Sequence, residues 1–257
     1  MLAVVACALS ACATTGVNRG DVNLMSIEEE WALGRRLEAD LAKKLTLVED
    51  RAVLGYVRRL GRKLVQETEM AKLPWSFHVV EDPEINAFNI PGGHIYVNTG
   101  LIAAADNASE LAGVMGHEVA HGVARHATEQ LTKVYGLNLL AGVLLGQDPR
   151  AYESILAQIL STGAVASFSR DAEEEADLLA VRFLYDAGYD PEGLPSLFEE
   201  LLTRRRRSQG SVGRFFATHP QTESRIRNTR AAIAELPPRP GLITDEPGFR
   251  RARSRVR

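Results

Sequence analysis

The sequence predicts an α+β protein, mainly helical, in which a small sheet of about three strands packs on one central helix. Three short β-rich stretches follow one another between residues 75 and 98, and helical periodicity dominates elsewhere. The helical sequence that follows the strands becomes strongly apolar and contains His117-Glu118-x-x-His121. Strands grouped in one part of the chain, with helices in the rest, are typical of α+β domains.

The composition is that of a globular protein whose charge does not favour nucleic acid. Of the 257 residues, 45% are hydrophobic, which is enough for a full core, and the net charge at pH 7 is -3. A nearly neutral chain lacks the basic surface that a phosphate backbone attracts. We therefore expect no nucleic-acid partner, and nothing in the composition predicts the oligomeric state.

The N-terminal stretch predicts export and lipid attachment. Residues 1–11 are uncharged and mostly small or apolar. They are too short to span a bilayer and are typical of the core of a signal peptide. Leu9-Ser10-Ala11-Cys12 resembles the bacterial lipobox, which implies a lipid anchor at Cys12 in the periplasm, at the outer membrane of a Gram-negative bacterium. No Lys or Arg precedes the apolar run, so a plain apolar N terminus remains the alternative.

Two helices are expected next. Ser26 and Glu29 form a capping-box pattern, from which a helix extends to about residue 44. A second helix covers about residues 50–69, with leucines and valines at helical spacing.

The three strands follow these helices. Their β-rich sequences are Trp75–Val80, Ile85–Ile90 and His94–Asn98, and the turn Pro91-Gly92-Gly93 joins the last two. His78 and His94 alternate with apolar residues within their strands. We interpret both histidines as structural rather than as metal ligands.

The motif helix is expected to run from about residue 107 to about residue 132. His117 and His121 are one turn apart, so both imidazoles leave one face and can bind a single metal ion. Glu118 is offset by one residue, which places its carboxylate beside the metal. That position suits a general base acting on a metal-bound water. The alternative is a pair of helix histidines with a salt-bridging glutamate.

A hydrolytic zinc site needs a third protein ligand. The extended pattern His-Glu-x-x-His-x-x-Gly-x-x-His fails, because Ala127 holds its last position and His126, one place short, faces away from the motif histidines. The downstream glutamates that we considered are Glu129, Glu153, Glu173, Glu174 and Glu175. Glu173 has Asp177 four residues later on the same helix face. This spacing suits a metal ligand and a carboxylate that accepts the free ring N–H of a ligand histidine, whereas a solvated acidic face is the alternative.

The rest of the chain is predicted to be helical up to a disordered end. The apolar stretches 134–145 and 155–165 are each too short for a membrane span, and we expect a helical hairpin over the catalytic face. Further helices begin near residues 190 and 221. The Pro-, Gly- and Arg-rich residues 237–257 predict a disordered tail, which leaves 12–24 as a tether and 25–236 as the folded domain.

Taken together, the motifs resemble one gluzincin family, the zinc metallopeptidases that include the HtpX-like and CAAX prenyl proteases. Besides the central motif, the resemblance rests on Ser169-Arg170-x-x-Glu173-x-x-Ala176-Asp177, on Thr218-His219-Pro220 with Arg225-Ile226, and on Asn86-Ala87-Phe88 with Pro91-Gly92-Gly93-x-Ile95 and Thr99-Gly100-Leu101. It covers about residues 26–235. The lack of membrane spans is similar to the soluble periplasmic branch, and the family implies a zincin-like metalloprotease domain.

The resemblance also implies roles for the motif residues. His117, His121 and Glu173 correspond to the ligands of one Zn²⁺ per chain. Glu118 corresponds to the general base. Asp177 corresponds to a residue that does not bind the metal itself but accepts the free ring N–H of a ligand histidine.

Two further assignments come from the resemblance. His219 is implied to be either a transition-state donor or a fourth ligand that keeps the resting enzyme latent, and a helix-capping histidine is the alternative. Asn86, Ala87 and Phe88 are implied to form an edge strand that pairs with an extended substrate.

These expectations converge on a zinc-dependent endopeptidase that cuts unfolded or misassembled envelope proteins in protein quality control. Its partners would be polypeptide substrates and, through Cys12, the membrane. A chaperone-like outer-membrane assembly factor with a latent or structural zinc site is the main alternative. A small-molecule metallohydrolase is disfavoured because an edge strand suits peptides.

Overall fold

The computed structural model describes residues 23, 25–165, 167–207, 212–220 and 223–256. The predicted signal sequence, Cys12 and nearly all of the predicted tether lie outside the described residues. The elements, in chain order, are α1 (Ile27–Leu41), α2 (Arg51–Gln66), β1 (Ser76–Val80), β2 (Ala87–Ile90), β3 (His94–Asn98), α3 (Thr99–Ala104), α4 (Ala108–Ala124), α5 (His126–Leu144), α6 (Pro149–Thr162), α7 (Arg170–Asp186), α8 (Gly193–Arg207), α9 (Gly213–Thr218), α10 (Glu223–Ala234) and α11 (Pro247–Arg253). The predicted α+β, mainly helical class is confirmed.

The small sheet has the strand order β1-β3-β2, so β2 lies at an edge. β1 runs parallel to β3, and β2 runs antiparallel to β3. The turn between β2 and β3 uses Gly92 and Gly93, whose φ values are +86° and +71°. Only glycine adopts such backbone angles at little cost, so these two residues fix the hairpin that the sequence predicts.

The two faces of the sheet belong to two layers of the core. Side chains alternate along a strand. Phe77 and Ile95 therefore join the cluster that contains α2, α4, α7 and α8, whereas Ile90 and Tyr96 join the cluster that contains α1, α5 and α6. Every residue of α4 is buried, because the sheet covers one side of it and α7 and α8 cover the other. The motif helix is thus the centre of the fold.

The motif helix is shorter than predicted. The α4 helix ends at Ala124, and Arg125 takes the left-handed conformation with φ +61° before α5 begins at His126. The guanidinium Nε of Arg125 lies 2.6 Å from the carboxylate of buried Glu30 in α1. The prediction of one continuous helix to about residue 132 is therefore wrong. The helix breaks at Arg125, where the sequence has neither Gly nor Pro, and the break coincides with this ion pair between distant parts of the chain.

The two apolar stretches after the motif lie mostly in α5 and α6, which end at Leu144 and Thr162. The α5 helix contains a kink at Gly136, and α6 begins with Pro149 behind the N-cap Asp148. Within the described part of the chain, no helix has both the length and the apolar character needed to cross a membrane.

The C-terminal segment corrects one prediction. Residues 237–256 were expected to be disordered, yet Ile243 pairs with Tyr189 in a short bridge and α11 packs on α2 and α3. Phe249 of α11 is fully buried, with its ring centroid 6.2 Å from that of Tyr56. A few apolar residues at the correct spacing are enough to fix this segment, although its composition resembles that of disordered chains.

Candidate metal centre

The α4 helix brings two imidazoles together at the centre of the fold. Asn107 caps the helix by accepting a hydrogen bond from the backbone N–H of Glu110. One turn separates His117 from His121, and their Nε2 atoms lie 3.0 Å apart. Both side chains are completely buried.

The α7 helix supplies a carboxylate to the same point. Ser169 caps this helix, and the small side chains of Ala176 and Ala180 let it approach α4 closely, with Ala180 Cβ 3.7 Å from a Cβ placed on Gly116. Glu173 then lies with Oε1 3.4 Å from His121 Nε2 and Oε2 3.6 Å from His117 Nε2.

The other glutamates that were considered are engaged elsewhere. Glu129 pairs with Lys133, Glu153 is exposed on α6, and Glu174 and Glu175 contact Asn228 and His126. The structure therefore brings Glu173 to the motif histidines.

His219, just after α9, is the fourth donor. Its Nδ1 lies 3.3 Å from His117 Nε2 and 2.9 Å from Glu173 Oε1. The ligand atoms of His117, His121, Glu173 and His219 all lie within 4.8 Å of one another, and all four side chains are buried.

This cluster fits a divalent cation of the zinc type. Zinc prefers histidine nitrogen and carboxylate oxygen, and with bonds of about 2.0–2.2 Å a tetrahedral centre places neighbouring donors about 3.3 Å apart. Five of the six donor pairs in the cluster lie 2.9 to 3.6 Å apart. Both carboxylate oxygens of the neighbouring Glu118 are buried without a hydrogen bond, which is costly unless a cation or a polar reactant enters the site.

A layer of charged groups supports the donors. His117 Nδ1 lies 3.0 Å from Asp177 Oδ1, the position at which a carboxylate fixes the ring with Nε2 free for a metal. Arg225 of α10, itself 5% exposed, donates two hydrogen bonds of 2.7 Å to Asp177 and another to Glu173. Because a buried carboxylate needs a partner, Arg225 offsets much of the desolvation cost of both.

His126 is placed differently from the prediction. It was expected to face away from His117 and His121, but its Nδ1 lies 2.9 Å from His121 Nδ1, and its Nε2 lies 3.2 Å from Glu175 Oε2. The expectation assumed one continuous helix, and the break at Arg125 turns the first residue of α5 back toward the centre.

Burial and the nearby histidines together set the pKa values of the two glutamates. Burial raises the pKa of Glu118, an effect that the nearby His219 and His117 oppose only in part. Burial alone would raise the pKa of Glu173 as well, but the three surrounding histidines hold it well below its usual range. The lowered pKa of Glu173 favours its carboxylate form, which has the charge expected of a cation ligand.

The predicted substrate strand lies at the edge of the sheet, as the resemblance implies. Ala87 and Phe88 belong to β2, Asn86 precedes it, and the amide of Asn89 donates to the backbone oxygen of Glu118 at 3.4 Å. All of these side chains are buried. Gly163, at the end of α6, lies so close that a Cβ on it would be 2.5 Å from Asn86 Nδ2. The residue that follows α6 therefore packs against the side chains at the start of the strand.

Phe168 is a residue that the sequence did not single out. Its ring stacks on His121 with centroids 4.1 Å apart. Phe168 directly precedes the N-cap of α7, so the sequence already places it within one or two turns of Glu173. Its contact with His121 of α4 depends on tertiary packing and could not be predicted.

Comparisons with known proteins show which family the chain resembles. The family model described as Peptidase family M48 matches residues 52–233. The chain is 29% identical over 241 residues to the beta-barrel assembly-enhancing protease of Escherichia coli, which covers 90% of this chain and 49% of that protein. It is 35% identical over 190 residues to the mitochondrial metalloendopeptidase OMA1 of Arabidopsis thaliana, covering 72% of this chain and 37% of that protein. The chain therefore spans about half the length, or less, of these relatives.

Proposed function

Because this chain belongs to peptidase family M48, we propose that it is a zinc-dependent endopeptidase that hydrolyses peptide bonds of unfolded or misassembled proteins. The observation that carries the proposal is the convergence of His117, His121 and Glu173 beside the carboxylate of Glu118, neither oxygen of which accepts a hydrogen bond. A buried acid next to a metal-binding cluster is the arrangement that metal-assisted hydrolysis requires.

His117, His121 and Glu173 would hold one Zn²⁺ per chain. When bound, zinc polarises a carbonyl and lowers the pKa of water. Glu118 acts as the general base: a carboxylate oxygen takes the proton of the attacking water and later gives it to the leaving amine. Asp177 keeps His117 in the tautomer whose Nε2 is free, and Arg225 holds Asp177 and Glu173 in place.

His219 would act as a fourth ligand in the resting state. Its Nδ1 points into the donor cluster, whereas its Nε2 lies 3.4 Å from Glu118 Oε1. A fourth protein ligand closes a zinc site, and catalytic sites keep one position open. We therefore expect His219→Ala to raise peptidase activity at unchanged zinc content. A fall in activity would instead support a transition-state donor.

Asn86, Ala87 and Phe88 would bind the substrate backbone. An extended peptide adds to the edge of a sheet through main-chain hydrogen bonds, which gives affinity without strong sequence preference. Gly163, just after α6, lies against the side chains of Asn86 and Phe88.

The decisive experiment is Glu118→Gln, assayed for cleavage of an unfolded protein and for zinc content. General-base catalysis contributes about 100- to 10,000-fold, so cleavage should fall by about that factor while zinc is retained. Glu153→Gln, on the exposed surface of α6, is the matched control and should leave cleavage unchanged.

The same experiment distinguishes the peptidase from a second candidate function, an assembly factor in which zinc is latent or structural. Four buried donors around one point favour it, because structural zinc sites are closed. If the wild type does not cleave and Glu118→Gln assists protein assembly as well as the wild type does, the peptidase proposal fails.

The location remains part of the proposal. We place the chain in the periplasm of the cell envelope, with the anchor at Cys12 outside the described residues. Metabolic labelling with a radioactive fatty acid, compared between the wild type and Cys12→Ala, tests the anchor.

A further inference from the structure

A second group of side chains with metal-binding chemistry lies on the other face of the sheet from α4. Ser76 and His78 are two residues apart in β1 and so share one face. The parallel register pairs Ser76 with His94 of β3. Glu38 of α1 contacts all three of these side chains, so three elements contribute to one cluster.

The donor atoms in this cluster are close together. Glu38 Oε1 lies 2.7 Å from His78 Nε2 and 3.1 Å from His94 Nδ1. These three ligand atoms all lie within 4.8 Å of one another. The hydroxyl of Ser76 lies 2.8, 3.0 and 2.7 Å from Glu38 Oε1, His78 Nε2 and His94 Nδ1. Four oxygen and nitrogen donors thus surround one small volume.

We propose that Glu38, His78 and His94 bind a second divalent transition-metal cation, Zn²⁺ in the first place, with the Ser76 hydroxyl or a water as the fourth ligand. Two imidazoles and one carboxylate form a donor set that zinc accepts. Imidazole nitrogen selects against calcium and magnesium, which prefer oxygen ligands. The site shares no residue with the centre on α4, so it is independent of the peptidase activity.

The cluster places a carboxylate beside two imidazoles. Burial lowers the pKa of His78 and of His94, and Glu38 opposes this effect only in part. Burial alone would raise the pKa of Glu38, but His94 together with the hydrogen bonds from Ser76 and His78 lowers it overall.

The cluster is both held in place and accessible. His78 stacks on Tyr96 with ring centroids 4.8 Å apart. Gly34 lets the α1 backbone approach His94, because a Cβ at this position would lie 2.9 Å from His94 Cδ2. The side chain of His94 is 4% exposed, whereas those of His78 and Glu38 are 16% and 28% exposed. One donor lies in the core, and the other two are in contact with solvent, from which an ion can reach them.

The test counts zinc in the full chain produced without a histidine tag. After dialysis against micromolar free zinc and removal of unbound metal, we expect two zinc ions per chain in the wild type. His78→Gln and His121→Gln should each bind one ion, and the double variant should bind none. Glu28→Gln, an exposed carboxylate on the same helix as Glu38, is the matched control and should keep both.

Thermal unfolding provides a second measurement. Zinc should raise the melting temperature of His121→Gln but not that of the double variant, because binding to the folded state stabilises it. If His78→Gln does not fold, the partly exposed Glu38→Gln replaces it. One zinc ion in the wild type, with the same content in folded His78→Gln, would overturn the proposal and leave a hydrogen-bonded cluster that joins α1 to the sheet.

Discussion

His126 supports the centre without being one of its donors. With His121 Nε2 directed at the metal position, His121 Nδ1 carries the proton and can donate to His126 Nδ1, 2.9 Å away. His126 then holds its own proton on Nε2, which donates to Glu175 at 3.2 Å. This order of protons is the one that keeps His121 ready to bind a metal, because partners of the free ring nitrogen fix its tautomer and orientation.

We therefore expect His126→Ala to lower zinc affinity at the α4 centre by about 10–100-fold, the usual cost of losing such a partner. Affinity is measured by competition with a chelator in the His78→Gln background, so that only this centre is counted. His126→Asn, which keeps an acceptor of similar reach, should recover part of the loss. Equal affinities for the wild type and His126→Ala would show that His126 only fills space.

Spacing within one helix is what made the donors predictable. In α4 and in α7 the two polar residues are four positions apart and so lie on one face of the helix. Where these faces meet, His117 contacts Asp177 and His121 contacts Glu173. His126 is only five residues from His121, but the chain between them leaves the helix at Arg125. The contact follows from the ion pair of Arg125 with Glu30, almost a hundred positions earlier, which no local pattern contains.

The same distinction holds for whole elements. Helices with a cap and a regular apolar stripe agree well with prediction: the first begins behind the capping box at Ser26, and α2 covers most of its predicted range. The hairpin of β2 and β3 follows from its turn glycines. The local sequence is therefore enough to predict an element when its ends contain capping or turn residues.

Elements whose ends depend on distant partners were not predicted. The boundary between α4 and α5 is one case, and the burial of β2 is another. The edge position of β2 could be anticipated from the family resemblance, but its burial could not, because it depends on how the helices of both clusters pack on the sheet. The accessibility of a strand is a property of the assembled fold rather than of the strand.

At the scale of the molecule, the core extends further along the chain than composition suggests. Glu246 accepts hydrogen bonds from the hydroxyls of Tyr56 and Tyr189, at 3.0 and 2.8 Å, and so joins α2, the loop after α7 and α11. The composition of this segment is dominated by the charged residues of α11. It does not show that Phe249 and Ala252 lie together on the buried side of the helix. The C-terminal segment is part of the domain for this reason.

Phe249→Ala should lower the free energy of unfolding by about 3–5 kcal/mol, the usual cost of removing a fully buried phenylalanine. The side chain joins the cluster that also holds α4, so its loss leaves a cavity in the layer that positions the metal centre. The measurement is equilibrium unfolding in urea by circular dichroism. Arg251→Ala, on the exposed side of the same helix, is the control and should change the free energy by about 0.5 kcal/mol or less. If residues 237–256 were disordered, both substitutions would be neutral. Equal urea midpoints for the two variants and the wild type would therefore show that this segment is not part of the folded domain.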